Sequence, residues 1–188
     1  DKVNQEKTNT STVVKGSMKI SDHQPNHTTQ QDTKDKQSEM NSKKENTKNV
    51  SSPSINKDAE KVSSLIIHTV RISNIKDYSV ELMEELEKHQ QPKNILERAS
   101  WTHFYVAETD NGVIIGCGAI GPYWGKEDES SLFNIFVLPE YQGKGVGRKI
   151  IETLEQDELF LRAKRVEIPA SITACDFYRK LGYTYKNG

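Results

Sequence analysis

Three glycines at alternate positions, Gly143, Gly145 and Gly147, stand in the run Gln142-Gly143-Lys144-Gly145-Val146-Gly147. The run follows an apolar stretch, Leu132 to Leu138, that predicts a strand, and precedes Arg148 to Leu161, whose spacing predicts a helix. Glycines let the backbone turn tightly and bare its N–H groups. A helix N-terminus just behind such a loop adds unpaired donors and a partial positive charge. The chemistry this arrangement suits is recognition of a phosphate or pyrophosphate. It is not a Walker A loop, because Gly145 rather than Ser or Thr follows Gly143-Lys144. Nor is it the dinucleotide fingerprint, which needs two residues between its second and third glycines, where only Val146 stands here. Read alone, the loop is either a phosphate site or a bare strand-to-helix turn.

A second cluster lies downstream. Arg165 to Ile168 reads as a short strand, and Ala174-Cys175-Asp176-Phe177-Tyr178-Arg179-Lys180-Leu181-Gly182-Tyr183 as a helix stopped by Gly182. Val137 to Gly147, followed by Phe177-Tyr178-Arg179-Lys180-Leu181-Gly182-Tyr183, resembles the GCN5-related N-acetyltransferase (GNAT) family. The resemblance covers roughly Ile66 onward. Two motifs in this order, separated by a helix and a strand, agree at several levels at once.

The resemblance implies an α/β fold: a mixed, splayed β-sheet flanked by helices, with acetyl-CoA as acyl donor in the gap. It implies that Gln142, Gly143, Lys144, Gly145, Val146, Gly147 and Arg148 hold the pyrophosphate, and that Ile135, Phe136 and Val137 pair by backbone with the pantetheine arm. Tyr178 matches the position that protonates the leaving thiolate, a role its phenol suits at neutral pH. Glu129, at the mouth of the central strand, is the candidate general base, with Glu108 second. Asn134 is expected either to face the ligand or to be a satisfied amide. Tyr123 and Trp124 are expected as an acceptor wall or as plain loop aromatics. The implied activity is N-acetylation of a primary amine, on a small molecule or a protein, by direct attack. The alternative is a catalytically silent acyl-CoA-binding or regulatory module.

The elements that must position these residues follow from composition and spacing. Residues 1–62 hold no Trp, Phe, Tyr, Leu or Cys. Such a segment has too little to bury against an ordering cost of about 1–2 kcal/mol per residue, so residues 1–64 are expected as a disordered low-complexity tail and 65–188 as the acetyltransferase domain. Leu65 to Ile72, rich in β-branched residues, predicts a first strand. A helix over 75–88, capped by Ser73 or Asn74, and a second from Pro92 to about Ser100 follow. Strands are expected at 102–108 and 113–120 around the Asp110-Asn111-Gly112 turn, then a loop over 121–129 and a strand over 130–138. The chain begins at Asp1 and stops at Gly188, a few residues into an expected strand, which reads as a fragment or processed product. The family's final strand, beside 165–168, is therefore expected to be missing, leaving an exposed sheet edge.

A formal net charge of −1 gives no bulk attraction to nucleic acid or to a membrane surface. Cys117 and Cys175 sit in apolar contexts and read as buried reduced thiols. The five histidines show no ligand spacing, so no metal is expected. The partner expected is an amine acceptor, with a homodimer left open and a cytoplasmic location.

Overall fold

The computed structural model describes residues 10–16, 47–51, 55–73, 75–76 and 78–186. In chain order they form strands β1 (Thr10–Gly16) and β2 (Thr47–Ser51), helices α1 (Ala59–Ser73), α2 (Val80–Lys88) and α3 (Pro92–Ala99), and strands β3 (His103–Thr109), β4 (Ile114–Tyr123) and β5 (Lys126–Val137). Helices α4 (Val146–Leu154) and α5 (Glu158–Leu161), strand β6 (Arg165–Ser171), helix α6 (Ile172–Lys180) and the short β7 (Thr184–Tyr185) complete them. The sheet order is β2-β3-β4-β5-β6-β1-β7, antiparallel throughout except that β5 and β6 run parallel.

Apolar residues alternate across the sheet and build a core on each face. Val62, Ile66 and Val70 of α1 and Ile95 of α3 cover one face, over Phe104, Val106 and Cys117. Ile150, Ile151 and Leu154 of α4, with Phe160, Val166 and Tyr178, cover the other. Helix α4 lies close against β4: a Cβ on Gly118 would sit 2.7 Å from Ile150 Cγ2 and 2.9 Å from Ile135 Cδ1. That close approach fixes how deeply the helix carrying the glycine loop sits over the central strands.

Four sequence expectations are corrected. Leu65 to Ile72 is helix, not strand. Burial at Ala59, Val62, Leu65, Ile66, Thr69 and Val70 has helical spacing, and the pattern begins before Leu65, in residues whose polar composition masks it. The next helix starts at Val80, where Ser79 Oγ accepts from the Leu82 amide at 3.3 Å. The expected helix over 148–161 breaks at Asp157. This buried carboxylate accepts from the Leu159 amide at 2.8 Å and from Tyr105 Oη at 2.7 Å, and lies 2.8 Å from His103 Nδ1, tying the α4–α5 junction to β3. The expected loop over 121–129 is a tight hairpin, with strand up to Tyr123 and again from Lys126.

The expectation of disorder over 1–64 falls mainly outside the described residues. Within them lie β1, β2 and the start of α1. The expectation of a bare edge beside residues 165–168 is corrected as well. β1 pairs with β6 along seven residues, Thr10↔Ser171 to Gly16↔Arg165, and with β7 at Val13 and Val14. Lys15 anchors it: its Nζ lies 2.9 Å from Glu155 Oε1, donates to the Leu181 carbonyl at 3.0 Å, and stands 5.1 Å from the Tyr183 ring centroid. Tyr183 Oη donates to the same carboxylate oxygen at 3.0 Å. A strand from far upstream thus occupies the place the sequence reading left empty. Because Val14 is flanked by strands on both sides, Val14→Pro removes a ladder donor inside the sheet. This is expected to cost on the order of 1–3 kcal/mol and to lower the melting temperature by several degrees. An unchanged melt would show that β1 contributes nothing to the sheet.

Candidate functional site

β5 and β6 are paired only at Glu129↔Arg165, Ser130↔Val166 and Ser131↔Glu167. At the last pair Ser131 Oγ donates to the Glu167 carbonyl at 3.1 Å. Beyond it the strands part. Pro169, two residues on, has no N–H to offer either neighbour. The gap between Leu132–Val137 and Ile168–Ser171 opens into a cavity of about 710 Å³. Its other walls come from Thr69 and Ser73 of α1, Tyr78, the glycine loop, and Thr173, Ala174, Phe177 and Tyr178 of α6.

Opposite Gly118 of β4 the central strand carries an extra residue, since Cys117 faces Phe136 and Ala119 faces Phe133. Asn134 takes the strain, with φ +52, a conformation Asn tolerates better than most residues. Its Oδ1 accepts from Arg98 Nη1 at 2.6 Å, and its Nδ2 donates to Gln90 Oε1 at 2.9 Å. Of the two readings of Asn134, it is the satisfied amide: it pins the bulge to α3 while its residue lines the cavity. Burial lowers the pKa of the Arg98 guanidinium, with the Glu97 carboxylate opposing.

The glycine loop stands at one end of the cavity. Gly143 and Gly145 have φ +73 and +86, the left-handed region. Gln142 Nε2 donates to the Val137 carbonyl and to Ser73 Oγ, both at 3.0 Å, so the loop is tied to β5 and to α1. The amides of Gly143, Gly145, Val146, Gly147 and Arg148 donate to no backbone acceptor among the described residues; the first amide of the turn that does is Lys149, to the Gly145 carbonyl at 3.0 Å. These are the donors the helix start leaves over.

Gln142, Gly143, Gly145, Gly147 and Arg148 line the cavity, as do Ile135, Phe136, Val137 and Tyr178. Lys144 is turned outward, its ammonium 5.2 Å from the Tyr141 ring centroid, and Val146 is buried in the core. Glu129 is not brought to the cavity. It belongs to the paired end of β5, with Oε1 2.9 Å from Lys126 Nζ. Six extended residues, roughly 20 Å of chain, separate it from Ile135. Glu108 lies on β3, paired with Ile114, and it too is absent from the cavity wall. Sequence reading missed Thr69 because it took Leu65 to Ile72 for a strand, and Ser73 and Tyr78 because it began the next helix at Ile75. Thr69 Oγ1 is buried on the cavity wall without a hydrogen-bond partner.

Tyr178 is 4% exposed, edge-on to Phe177 and Tyr183 at centroid distances of 5.2 and 6.0 Å. Burial raises its pKa well above the usual phenol value, with Cys175 adding to the shift. Cys117 is free and buried, and burial pushes its thiol up to about 12. Cys175 is likewise free and buried.

Residues 100–185 match the family described as acetyltransferase (GNAT) domain. Over these residues the chain has the GNAT fold. No curated protein matches the sequence. Among solved structures, the chain is similar to the PaiA N-acetyltransferase of Thermoplasma acidophilum in complex with coenzyme A, at TM-score 0.60 and 17% identity over 71% of this chain and 87% of that one. A GCN5-related N-acetyltransferase of Rhodopseudomonas palustris gives TM-score 0.56 at 23% identity over 71% and 78%. A Mycobacterium tuberculosis protein in complex with CoA gives 0.53 at 22% over 72% and 71%. At these identities the likeness is one of fold. The splay between β5 and β6 is thus the gap of a GNAT sheet. Among the described residues no helix is long and apolar enough to cross a membrane.

Three phenols of this domain titrate late. Tyr105 is pushed up to about 12, by burial first and then by its bond to Asp157. Tyr178 is raised by burial, and Tyr183 by burial and then the Glu155 charge. Their folded pKa values lie above the unfolded value of about 10, so the stability they contribute is complete below about pH 10 and is lost as pH rises through the folded values. Absorbance near 295 nm is expected to show three of the seven tyrosines withheld from ionisation until the native state unfolds. Titration of all seven together near pH 10 would contradict this.

Proposed function

We propose that this domain transfers the acetyl group of acetyl-CoA to a primary amine, on a small molecule or a protein, by direct attack. The observation that carries the reading is the coincidence in one cavity of three features: unpaired loop amides, a central strand with its β6-facing edge bare, and a buried phenol. When bound, the donor supplies an activated acyl group and a thiolate leaving group. Gly143, Gly145, Gly147 and Arg148 would present N–H groups, and Arg148 a charge, to its pyrophosphate. The freed backbone of Leu132–Val137 would pair with the amides of the pantetheine arm and hold the thioester beside Tyr178. As the amine nitrogen bonds to the carbonyl carbon and the C–S bond breaks, Tyr178 Oη gives its proton to the departing sulfur. The amine's surplus proton leaves through solvent and restores the phenol.

One observation favours a second reading, a CoA-binding module without turnover. Among the described residues lining the cavity there is no carboxylate or imidazole to accept a proton. Two variants separate the readings. Gly145→Glu places a negative, strained residue where the pyrophosphate would lie, and is expected to abolish the calorimetric acetyl-CoA signal. Tyr178→Phe is expected to keep binding within about twofold and to reduce kcat by about 100-fold, the scale of one acid catalyst. Binding that survives Gly145→Glu would refute the placement of the donor. Binding by the unaltered chain without CoA release across a broad amine panel would establish the silent module.

A further inference from the structure

Four buried side-chain polar atoms lack a hydrogen-bond partner among the described residues: Thr69 Oγ1, Asn94 Oδ1, Glu129 Oε2 and Arg165 Nε. Of these four residues, Thr69 alone lines the cavity. It is 3% exposed and belongs to the buried side of α1. A buried hydroxyl without a partner costs about 1–3 kcal/mol, so each such group in a folded protein calls for an explanation.

A helical threonine commonly avoids this cost by donating to the carbonyl four residues back. Thr153 of α4 does so to Lys149 at 2.8 Å, and Thr102, just past α3, does so to Arg98 at 2.8 Å. Thr69 makes no such bond to Leu65. Ser73, four residues on along the same helix face, is engaged already, since its Oγ accepts from Gln142 Nε2 at 3.0 Å. The Asn134 amide is satisfied by Arg98 and Gln90. Thr69 therefore keeps its hydrogen-bonding capacity for whatever fills the gap.

The cavity wall is also divided by charge. Its charged members are Arg148 of α4 and Lys180 of α6, and Tyr178 stands on α6 as well. These elements cover one face of the sheet and α1 the other. The α1 side contributes Thr69 and Ser73, with Tyr78 beyond it: hydroxyls without formal charge. Tyr123 and Trp124, expected either as an acceptor wall or as loop aromatics, are absent from the lining and end the β4–β5 hairpin instead. An anionic donor is drawn to the cationic side. An amine, cationic until it loses its proton, is repelled from that side. The hydroxyl side neither repels it nor holds it protonated, as a carboxylate would. With the departing sulfur served by Tyr178 from α6, the α1 side is left for the nucleophile.

We infer that Thr69 binds the acceptor: its Oγ1 accepts an N–H of the incoming neutral primary amine and aims the nitrogen lone pair at the thioester carbonyl. The inference rests on the acetyl-transfer reading above. A hydroxyl oxygen has the lone pairs for this bond, and an oriented nucleophile meets a smaller entropic barrier. No proton changes hands at Thr69, and the surplus proton of the amine still leaves through solvent.

The experiment compares the full chain with Thr69→Val, which keeps the branched shape and removes the hydroxyl, and with Thr69→Ser, which keeps the hydroxyl. Acetyl-CoA is the donor, and n-butylamine, benzylamine and lysine methyl ester are the acceptor probes. Thr69→Val is expected to raise KM for each acetylated amine about 5- to 10-fold, and to leave kcat and CoA affinity within about twofold. Thr69→Ser is expected to stay within about threefold of the unaltered chain in amine KM. Without ligand, Thr69→Val is expected to melt at the same temperature or a few degrees higher, because it removes an unpaired buried hydroxyl. A valine variant that melts lower shows that the hydroxyl has a partner within the fold, and overturns the assignment. An amine KM that does not move overturns it too. CoA binding by the unaltered chain without acetylation of any probe defeats the acetyl-transfer reading instead.

Discussion

The ladder between β5 and β6 stops after three residue pairs, and the rest of the site depends on that stop. A ladder continued to Val137 and Ser171 would satisfy every backbone group of both strands and leave no gap. It is ended by chemistry visible at the fork. Ser131 Oγ caps the Glu167 carbonyl, Pro169 withholds a donor, and the bulge at Asn134 re-aims the central strand. The cost of the unpaired edge is met locally on the helical side, where Arg98 and Gln90 hold the Asn134 amide. What stays bare on the other side is a row of peptide groups suited to an extended, amide-bearing ligand arm.

The wedge is held open from both flanks. On one, Ile150 and Leu154 of α4 press onto the glycines of β4, which sets the height at which the helix N-terminus meets the cavity. On the other, β1 runs the full length of β6 and keeps its outer edge paired, so β6 can leave β5 without becoming a free strand. The Lys15–Glu155–Tyr183 contacts bind that outer strand to the end of α4 and to the chain after α6. The two walls of the cavity are therefore each braced from outside.

The parts of this arrangement governed by local chemistry were legible in the sequence. Alternating glycines before a helical pattern, an Asn-Gly turn and a Gly-stopped last helix each impose their conformation through a few neighbouring residues, and the structure shows all three. The parts governed by long-range pairing were not. β1 lies in a mostly polar segment with few apolar residues, Val13 and Val14 among them, and its strand state depends on β6 and β7 as partners more than on its own composition. The β-branched run at Leu65–Ile72 misled for the same reason in reverse. Its helical burial appears only when Ala59 and Val62, just upstream in polar company, are counted with it. Glu129 was placed by its position at the start of a strand. The strand is longer than the apolar run suggested, beginning at Lys126, and this carries Glu129 to the paired end, away from the gap.

The central claim is that amides left unpaired at the start of α4 receive the diphosphate of CoA. The most direct test is a ¹⁵N–¹H correlation spectrum of the labelled chain titrated with CoA and, separately, with pantetheine, which lacks phosphate. The account predicts downfield amide shifts at Gly143, Gly145, Val146, Gly147 and Arg148 with CoA but not with pantetheine. If CoA binds while these five resonances stay still, or if pantetheine moves them equally, the account is contradicted.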